Sequence, residues 1–285
     1  LTDPDAGWQP WLCWNKDCWI RGQPWWITAE HTTNGKTHTT FLFGPTPKQV
    51  KYAEACQQTK NTLFGGAKAV AKSYGLRWLA YNRCLRIPGL RVLLLRRTYG
   101  ELEISHLLDM PLEEQLLKPV GAHYRSAARE MAFGNDSLIR AGHCETDADV
   151  AKFLSSQWDI IIFDELVTFG LKMFLQIASC ARSTKPQVIA DGGAQVWAAT
   201  NPGGRGASWV HDFFVTGDVD REEFPDYHRT DWGFVQGWLD DNPYMDPSYR
   251  QTLMNLPPTL RRQWLDGDWN AFDGQLFDWQ ARKNS

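Results

Sequence analysis

The chain has 285 residues, 43% of them hydrophobic, with 30 basic and 33 acidic side chains and a net charge of −3. That length supports one large domain or two modest ones, and the slight acidity excludes a protein whose main work is to coat nucleic acid. No 18-residue apolar run and no basic-then-apolar leader is present, so neither a membrane helix nor secretion is expected, and six dispersed cysteines read as reduced thiols in a cytosolic compartment.

Residues 1–44 hold six of the 15 tryptophans. Within them, Thr-rich runs flank Asn34-Gly35, the residue pair of a tight hairpin turn, and the hairpin register sets His31 opposite His38. Cys13, Cys18, His31 and His38 come close to a Cys2His2 zinc spacing, but the last gap is one residue too long and a hairpin replaces the usual helix. The other reading is a Trp-rich hairpin packed over the phosphate site described below or against a neighbouring subunit.

Residues 45–205 alternate between strand and helix patterns. Helices are expected over 47–58 and 72–86, the second ended by Pro88-Gly89. Val92 to Leu95 form a buried strand within Arg91–Arg97. A helix over 101–117 would carry Leu102, Leu107, Leu108, Leu112, Leu116 and Leu117 on its apolar side. A hairpin is expected around Gly134-Asn135-Asp136. The pattern predicts an α/β fold, a mainly parallel sheet flanked by helices. Residues 206–285 are richer in Trp, Asp and Pro and poorer in long strands. They read as a smaller helical lid subdomain with helices at 249–256 and 259–265.

Three motifs carry chemistry. Leu63 to Ser73 reads as an apolar strand end, a Gly-led loop (Gly65, Gly66, Ala67, Lys68) and a Lys-Ser pair opening a helix. This is the layout of a phosphate-binding P-loop, with Ala71 where the last glycine is expected. Loop N–H groups would wrap the β-phosphate at a helix N-terminus, Lys72 would neutralise the β/γ-phosphates, and Ser73 would hold Mg²⁺. Glycine tolerates positive φ and close phosphate approach, whereas Val70 does so poorly. The loop therefore either uses ordinary backbone angles or binds ATP weakly. The second motif is the apolar run Ile160 to Phe163, which ends in Asp164-Glu165. Ligands bind at the carboxyl ends of parallel strands. Asp164 is therefore expected to reach Mg²⁺, and Glu165 to orient and deprotonate the attacking water. The third, Val196 to Ala199, leads into Thr200-Asn201-Pro202-Gly203-Gly204. Thr200 or Asn201 would hydrogen-bond the γ-phosphate or the water; the bland alternative is an ordinary Asn-Pro-Gly turn.

The order and spacing of these motifs resemble the ATPase half of a tailed-phage terminase large subunit, over about residues 45–279. Besides the three motifs, the matching residues are Pro45-Thr46-Pro47-Lys48-Gln49, Arg96-Arg97-Thr98-Tyr99, Asp241-Asn242-Pro243-Tyr244 and Gly267-Asp268-Trp269. The resemblance implies a Mg²⁺-dependent ATPase that moves double-stranded DNA into a procapsid. It places Gln49 in the segment that contacts adenine and Lys68 where a second basic residue acts on the γ-phosphate. Thr200 and Asn201 fall in the motif that couples hydrolysis to movement. It implies partners (portal protein, small terminase subunit, further copies in a ring) and a place in the host cytoplasm, transiently at the portal. The family's nuclease acids are not expected in these residues. Relatives often carry an Arg-Gly or Gln-Gly step before the acidic strand, where Phe153-Leu154-Ser155-Ser156 stands here. A trans-acting arginine from that step is thus missing, and Arg182 is the substitute considered. DNA contact would use local patches such as Arg125 with Arg129 or Arg261 with Arg262. Two alternatives compete: another P-loop nucleic-acid motor of helicase type, and a degenerate nucleotide site used for docking.

Overall fold

The continuous apolar runs become strands buried on both faces. The computed structural model describes residues 27–33 and 36–271. In chain order the elements are β1 (Ile27–Thr33), β2 (Lys36–Phe43), α1 (Pro47–Gln58), β3 (Asn61–Gly66), α2 (Lys72–Arg86) and β4 (Arg91–Arg96). Next come α3 (Tyr99–Leu102), a π-helical turn Glu103–Leu107, α4 (Leu108–Leu117), β5 (His123–Arg125), β6 (Glu130–Ala132), β7 (Leu138–His143) and α5 (Asp147–Leu154). The chain continues through β8 (Ile160–Asp164), α6 (Leu171–Ala178), α7 (Pro186–Ala190), β9 (Gln195–Ala199), α8 (Ala207–Val210), β10 (Trp232–Gly237), α9 (Ser248–Met254) and α10 (Pro258–Trp264).

Among the described residues, eight strands form one sheet in the order β10-β3-β9-β8-β4-β7-β6-β5. From β10 to β7 every neighbour runs parallel; β6 and β5 are antiparallel. Alternate residues serve opposite faces, as the pleat requires. Phe64, Ile160, Ile162 and Trp197 join a core with α1 and α2, while Leu63, Ile161, Phe163 and Val196 join a core with Met173, Phe174 and Phe214. Both faces are covered, which explains why these strands lack polar alternation. The separate β1–β2 hairpin pairs His31 with His38 in the expected register. Cys13, Cys18 and the Asn34-Gly35 turn lie outside the described residues.

Two expectations need correction. The helix expected over 101–117 is interrupted by the π-helical turn at Glu103–Leu107. The buried residues Leu102, His106, Met110, Glu113 and Leu117 follow a three- and four-residue spacing along one face, which is not the face that carries Leu108 and Leu112. Leu102 and Leu117 are buried as expected, but Leu108 and Leu112 are exposed, and His106 is fully buried. Pro111 lies inside α4, where it cannot donate the hydrogen bond a helix interior uses. The second correction concerns residues 206–271, which do not form a helix-only unit. Trp232–Gly237 is a sheet strand running parallel to β3. Helices α9 and α10 fall close to their expected places.

Candidate active site

Strands β3, β8 and β9 run parallel, so their carboxyl ends share one edge of the sheet. Each ends in one of the three motifs. The loop from β3 to α2 needs unusual backbone angles: φ is +119° at Gly66, +64° at Ala69 and +59° at Ala71. At Gly66 an added Cβ would run into the Gly237 carbonyl of neighbouring β10. Val70 is not among the residues at positive φ and is fully buried. The loop therefore does not use ordinary angles throughout. Two alanines take the left-handed positions, and the β-branched residue between them is spared. Alternating hands of this kind turn successive N–H groups toward one concavity, a nest for an anion.

Lys72 opens α2 with its side chain 8% exposed, and its Nζ donates to the Ala67 carbonyl at 2.6 Å, inside the loop. Burial pulls this ammonium down to about 8, against Glu165 and Asp164, which favour its charge. Ser73 Oγ donates to Asp164 Oδ2 at 2.8 Å, joining the P-loop helix to the end of β8 across 91 residues of sequence. Burial pushes the Asp164 carboxyl up, but His106, Arg96 and Ser73 together hold it well below the usual carboxylate range. Glu165 takes a left-handed backbone angle, φ +58°, directly after the strand. Burial and the neighbouring Asp164 raise its carboxyl; Lys72, Arg96 and Thr200 offset part of the rise.

The β9 end bridges the other two motifs. Thr200 Oγ1 donates to Glu165 Oε2 at 3.2 Å and accepts from the Val167 N–H at 3.5 Å. Asn201 Nδ2 donates to the Gly66 carbonyl at 2.7 Å. Lys68 turns toward α10: its N–H donates to the Trp264 carbonyl at 2.7 Å, and its Nζ lies 3.1 Å from the centre of the Trp264 ring. Burial lowers the Lys68 ammonium, partly offset by Glu165.

Gln49 reaches the P-loop from behind. Its Oε1 accepts the Thr46 N–H at 2.7 Å, closing the capping box of α1, and its Nε2 donates to the Ala71 carbonyl at 2.9 Å. The side chain is fully buried, one end of its amide capping α1 and the other bracing the loop. Arg182 is not brought to this edge. Its N–H pairs with the Trp158 carbonyl, before β8 begins, and its guanidinium donates to the Ser156 carbonyl at 3.3 Å. Three members of the basic pairs have partners: Arg125 faces Glu130 at 3.3 Å, Arg129 lies over Tyr99, and Arg262 holds Asp268 at 2.7 Å.

Two site residues escape the sequence reading. Arg96, at the end of β4, lies 3.3 Å from Asp164 and 4.0 Å from Glu165. It stands in the quoted Arg96-Arg97-Thr98-Tyr99 run, so its place at a strand end was the available signal. His106 Nε2 lies 3.0 Å from Asp164 Oδ2. Its signal was a polar stripe through Asp109 and Glu113 on an otherwise leucine-rich helix.

Oxygen ligands suit a hard cation. Mg²⁺ commonly takes one or two protein oxygens, with phosphate and water supplying the rest. The Ser73–Asp164 pair fits that pattern. Among the described residues no cluster of three or more His, Cys, Asp or Glu offers an all-protein cage. The nest, the buried lysine and the parallel sheet together define a P-loop NTPase fold.

The solved structures narrow the likeness to the ATPase domains of phage large terminases. The chain is similar to the large terminase from a thermophilic bacteriophage at 13% identity and a TM-score of 0.60, over 79% of this chain and 53% of that one. The same phage's large terminase in complex with ATP-gamma-S matches at 12% identity and a TM-score of 0.56, over 79% and 52%. The Thermus phage P74-26 large terminase ATPase domain matches at 15% identity and a TM-score of 0.54, over 79% and 94%. The chain thus spans about half the length of the first of these proteins. By sequence it matches no family model and no curated protein.

Proposed function

We propose that this chain hydrolyses ATP with Mg²⁺ and uses the reaction to move double-stranded DNA into a viral procapsid. The observation that carries the proposal is the 2.8 Å contact of Ser73 with Asp164, made beside Lys72 and Glu165 at one sheet edge. Support also comes from the fold shared with the thermophilic bacteriophage's large terminase, a protein solved with ATP-gamma-S and with ADP.

In this reading Gly66 to Ser73 cradle the phosphates with backbone N–H groups. Lys72 leaves the Ala67 carbonyl and places its charge against the β- and γ-phosphates. Ser73 and Asp164 hold Mg²⁺, which when bound neutralises charge on the β- and γ-oxygens. Glu165, whose carboxyl is raised by burial and by Asp164, takes the proton of the attacking water. Thr200 fixes the Glu165 carboxylate through one oxygen and leaves the other for the water. Arg96, 3.3 Å from Asp164 and 4.0 Å from Glu165, offsets part of the repulsion between the two acids. Lys68 exchanges the Trp264 ring for the γ-phosphate. Thr200 and Asn201 transmit its loss to the loop after β9. DNA, the portal protein, the small terminase subunit and neighbouring copies in a ring are the proposed partners, in the host cytoplasm at the portal.

The test is a pair of variants. Lys72→Ala deletes a charge-assisted contact worth about 1.5–3 kcal/mol, so ATP affinity should fall roughly 10- to 100-fold and turnover should vanish. Glu165→Gln keeps the shape and loses the base, so it should bind ATP without hydrolysing it. A phosphate-release assay showing wild-type rates in either variant removes the proposal.

A further inference from the structure

We infer that His106 is a positioning residue that holds the Asp164 carboxylate in its metal-binding orientation, and that Arg77 and Glu113 fix which imidazole nitrogen does so. The inference rests on the proposed nucleotide chemistry and assigns it residues that none of the three motifs contains. Asp164 Oδ2 receives three contacts: Ser73 Oγ at 2.8 Å, His106 Nε2 at 3.0 Å and Arg96 Nη1 at 3.3 Å. All three converge on one oxygen, which sets the plane of the carboxylate.

The tautomer of His106 follows from its other neighbour. Arg77 Nη1 lies 3.0 Å from His106 Nδ1. A guanidinium has donors and no acceptor, so Nδ1 must be the acceptor and the ring proton must sit on Nε2. That proton points at Asp164. Arg77 cannot rotate away, because its Nε and Nη2 bind the Glu113 carboxylate at 2.8 to 3.0 Å, and Nη2 also meets Asp109 at 2.5 Å. Tyr81 Oη donates to the same Glu113 at 2.6 Å. Arg77, Tyr81, His106 and Glu113 are all buried.

The chain of contacts Glu113–Arg77–His106–Asp164 therefore runs from α4 through α2 to the end of β8. Satisfied buried networks of this kind fix one geometry. His106 lies within the π-helical turn Glu103–Leu107, and such turns recur at functional sites. A neutral donor also suits the position, since it orients the carboxylate without setting another cation beside a bound metal.

The experiment uses ADP with Mn²⁺ as the metal probe, read by electron paramagnetic resonance, alongside ADP affinity in EDTA. His106→Phe fills the space without a donor. His106→Gln can offer an amide N–H at the place of Nε2. Outer-shell partners typically contribute 10- to 100-fold to metal affinity. His106→Phe should therefore weaken Mn²⁺ binding about 10-fold or more, His106→Gln should return to within about threefold of wild type, and ADP affinity in EDTA should stay within about twofold. Unchanged Mn²⁺ binding in His106→Phe overturns the inference, as does an equal loss in both variants or a parallel loss of metal-free ADP binding. Should His106→Phe fail to fold, nitrogen-15 spectra of the wild-type protein decide: an Nε2–H signature for His106 supports the assignment and an Nδ1–H signature refutes it. A wild-type protein that binds neither ADP nor Mn²⁺-ADP sinks the nucleotide reading itself, a result distinct from a wild type that binds both and a His106→Phe that matches it.

Discussion

Replacing Ala71 with glycine should stabilise this protein, although it inserts the most flexible residue beside a helix. Ala71 lies at φ 59° and ψ 41°, and Ala69 at φ 64°. Holding an L-residue in the left-handed region costs about 1–2 kcal/mol, and glycine escapes that cost. The greater freedom of glycine in the unfolded chain takes back about 0.4–1 kcal/mol. The net gain for Ala71→Gly is about 0.5–1 kcal/mol, and similar for Ala69→Gly, which for a domain of this size raises the midpoint by about 1–4 °C. Val70→Gly is the matched control. Val70 is fully buried and avoids positive φ, so its loss empties core space and adds freedom together, costing more than about 2 kcal/mol. Urea melts of the three variants, with the slope checked for constancy, give the numbers. The reasoning fails if Ala71→Gly destabilises by more than about 0.5 kcal/mol or if Val70→Gly is neutral.

Two further outcomes follow from the same site. Burial lowers Lys72 from 10.5 to about 8, so at pH 9 the free protein holds it mostly neutral. Bound phosphates restore its charge, so metal-free ADP binding should take up a proton at pH 9 and almost none at pH 6.5. Calorimetry in two buffers of different ionisation enthalpy reads this, and buffer-independent heats at pH 9 contradict it. The sign for stability matches: between about 8 and 10.5 the unfolded chain binds more protons, so Lys72 makes the nucleotide-free fold more stable as pH rises through that window. Thr200→Val deletes the hydroxyl between Glu165 and the Val167 N–H while keeping the shape. Turnover should fall roughly 10- to 100-fold through misplacement of the base, with ATP affinity almost unchanged; an unaltered kcat would show that Thr200 does not orient Glu165.

The meeting of Ser73 with Asp164 was legible because each sits just past a strong, local signal. Leu63-Phe64 and Ile160 to Phe163 are short apolar runs bounded by glycine or acid, the pattern of buried strands, and parallel strands bring their carboxyl ends to one edge. The same logic placed Thr200 and Asn201. What escaped depends on register and on weak edge signals. β10 reads Trp-Gly-Phe-Val-Gln-Gly, and its first five residues are only partly buried. It therefore lacked the continuous apolar run that marked the central strands. His106 gave only a weak signal: it shares a polar stripe with Asp109 and Glu113 on a helix whose leucines suggested a different inner face, yet Leu108 and Leu112 are exposed and His106 is buried. At the P-loop, doubt fell on Val70 as well as on Ala71, and it was misplaced only at Val70. Val70 does not need the angle that glycine would supply, whereas Ala69 and Ala71 do adopt it.

The sheet order makes the route from the β3–α2 loop to α10 a short one. β9 lies between β3 and β8, so a single residue pair at its end can touch both neighbours: Thr200 meets Glu165, and Asn201 meets the Gly66 carbonyl. Two residues further on, Gly203 takes φ +94° and packs so closely on Gln263 of α10 that a Cβ would strike its amide. The next residue of α10, Trp264, receives the Lys68 N–H and the Lys68 ammonium. The loop after β9 and the P-loop therefore end on adjacent residues of one helical turn. Asn242 adds a third tie from the same part of the chain, donating to the Ala69 carbonyl at 2.7 Å. Because the two loops share that turn, α10 cannot shift against the P-loop without also straining the loop that holds Glu165 in place.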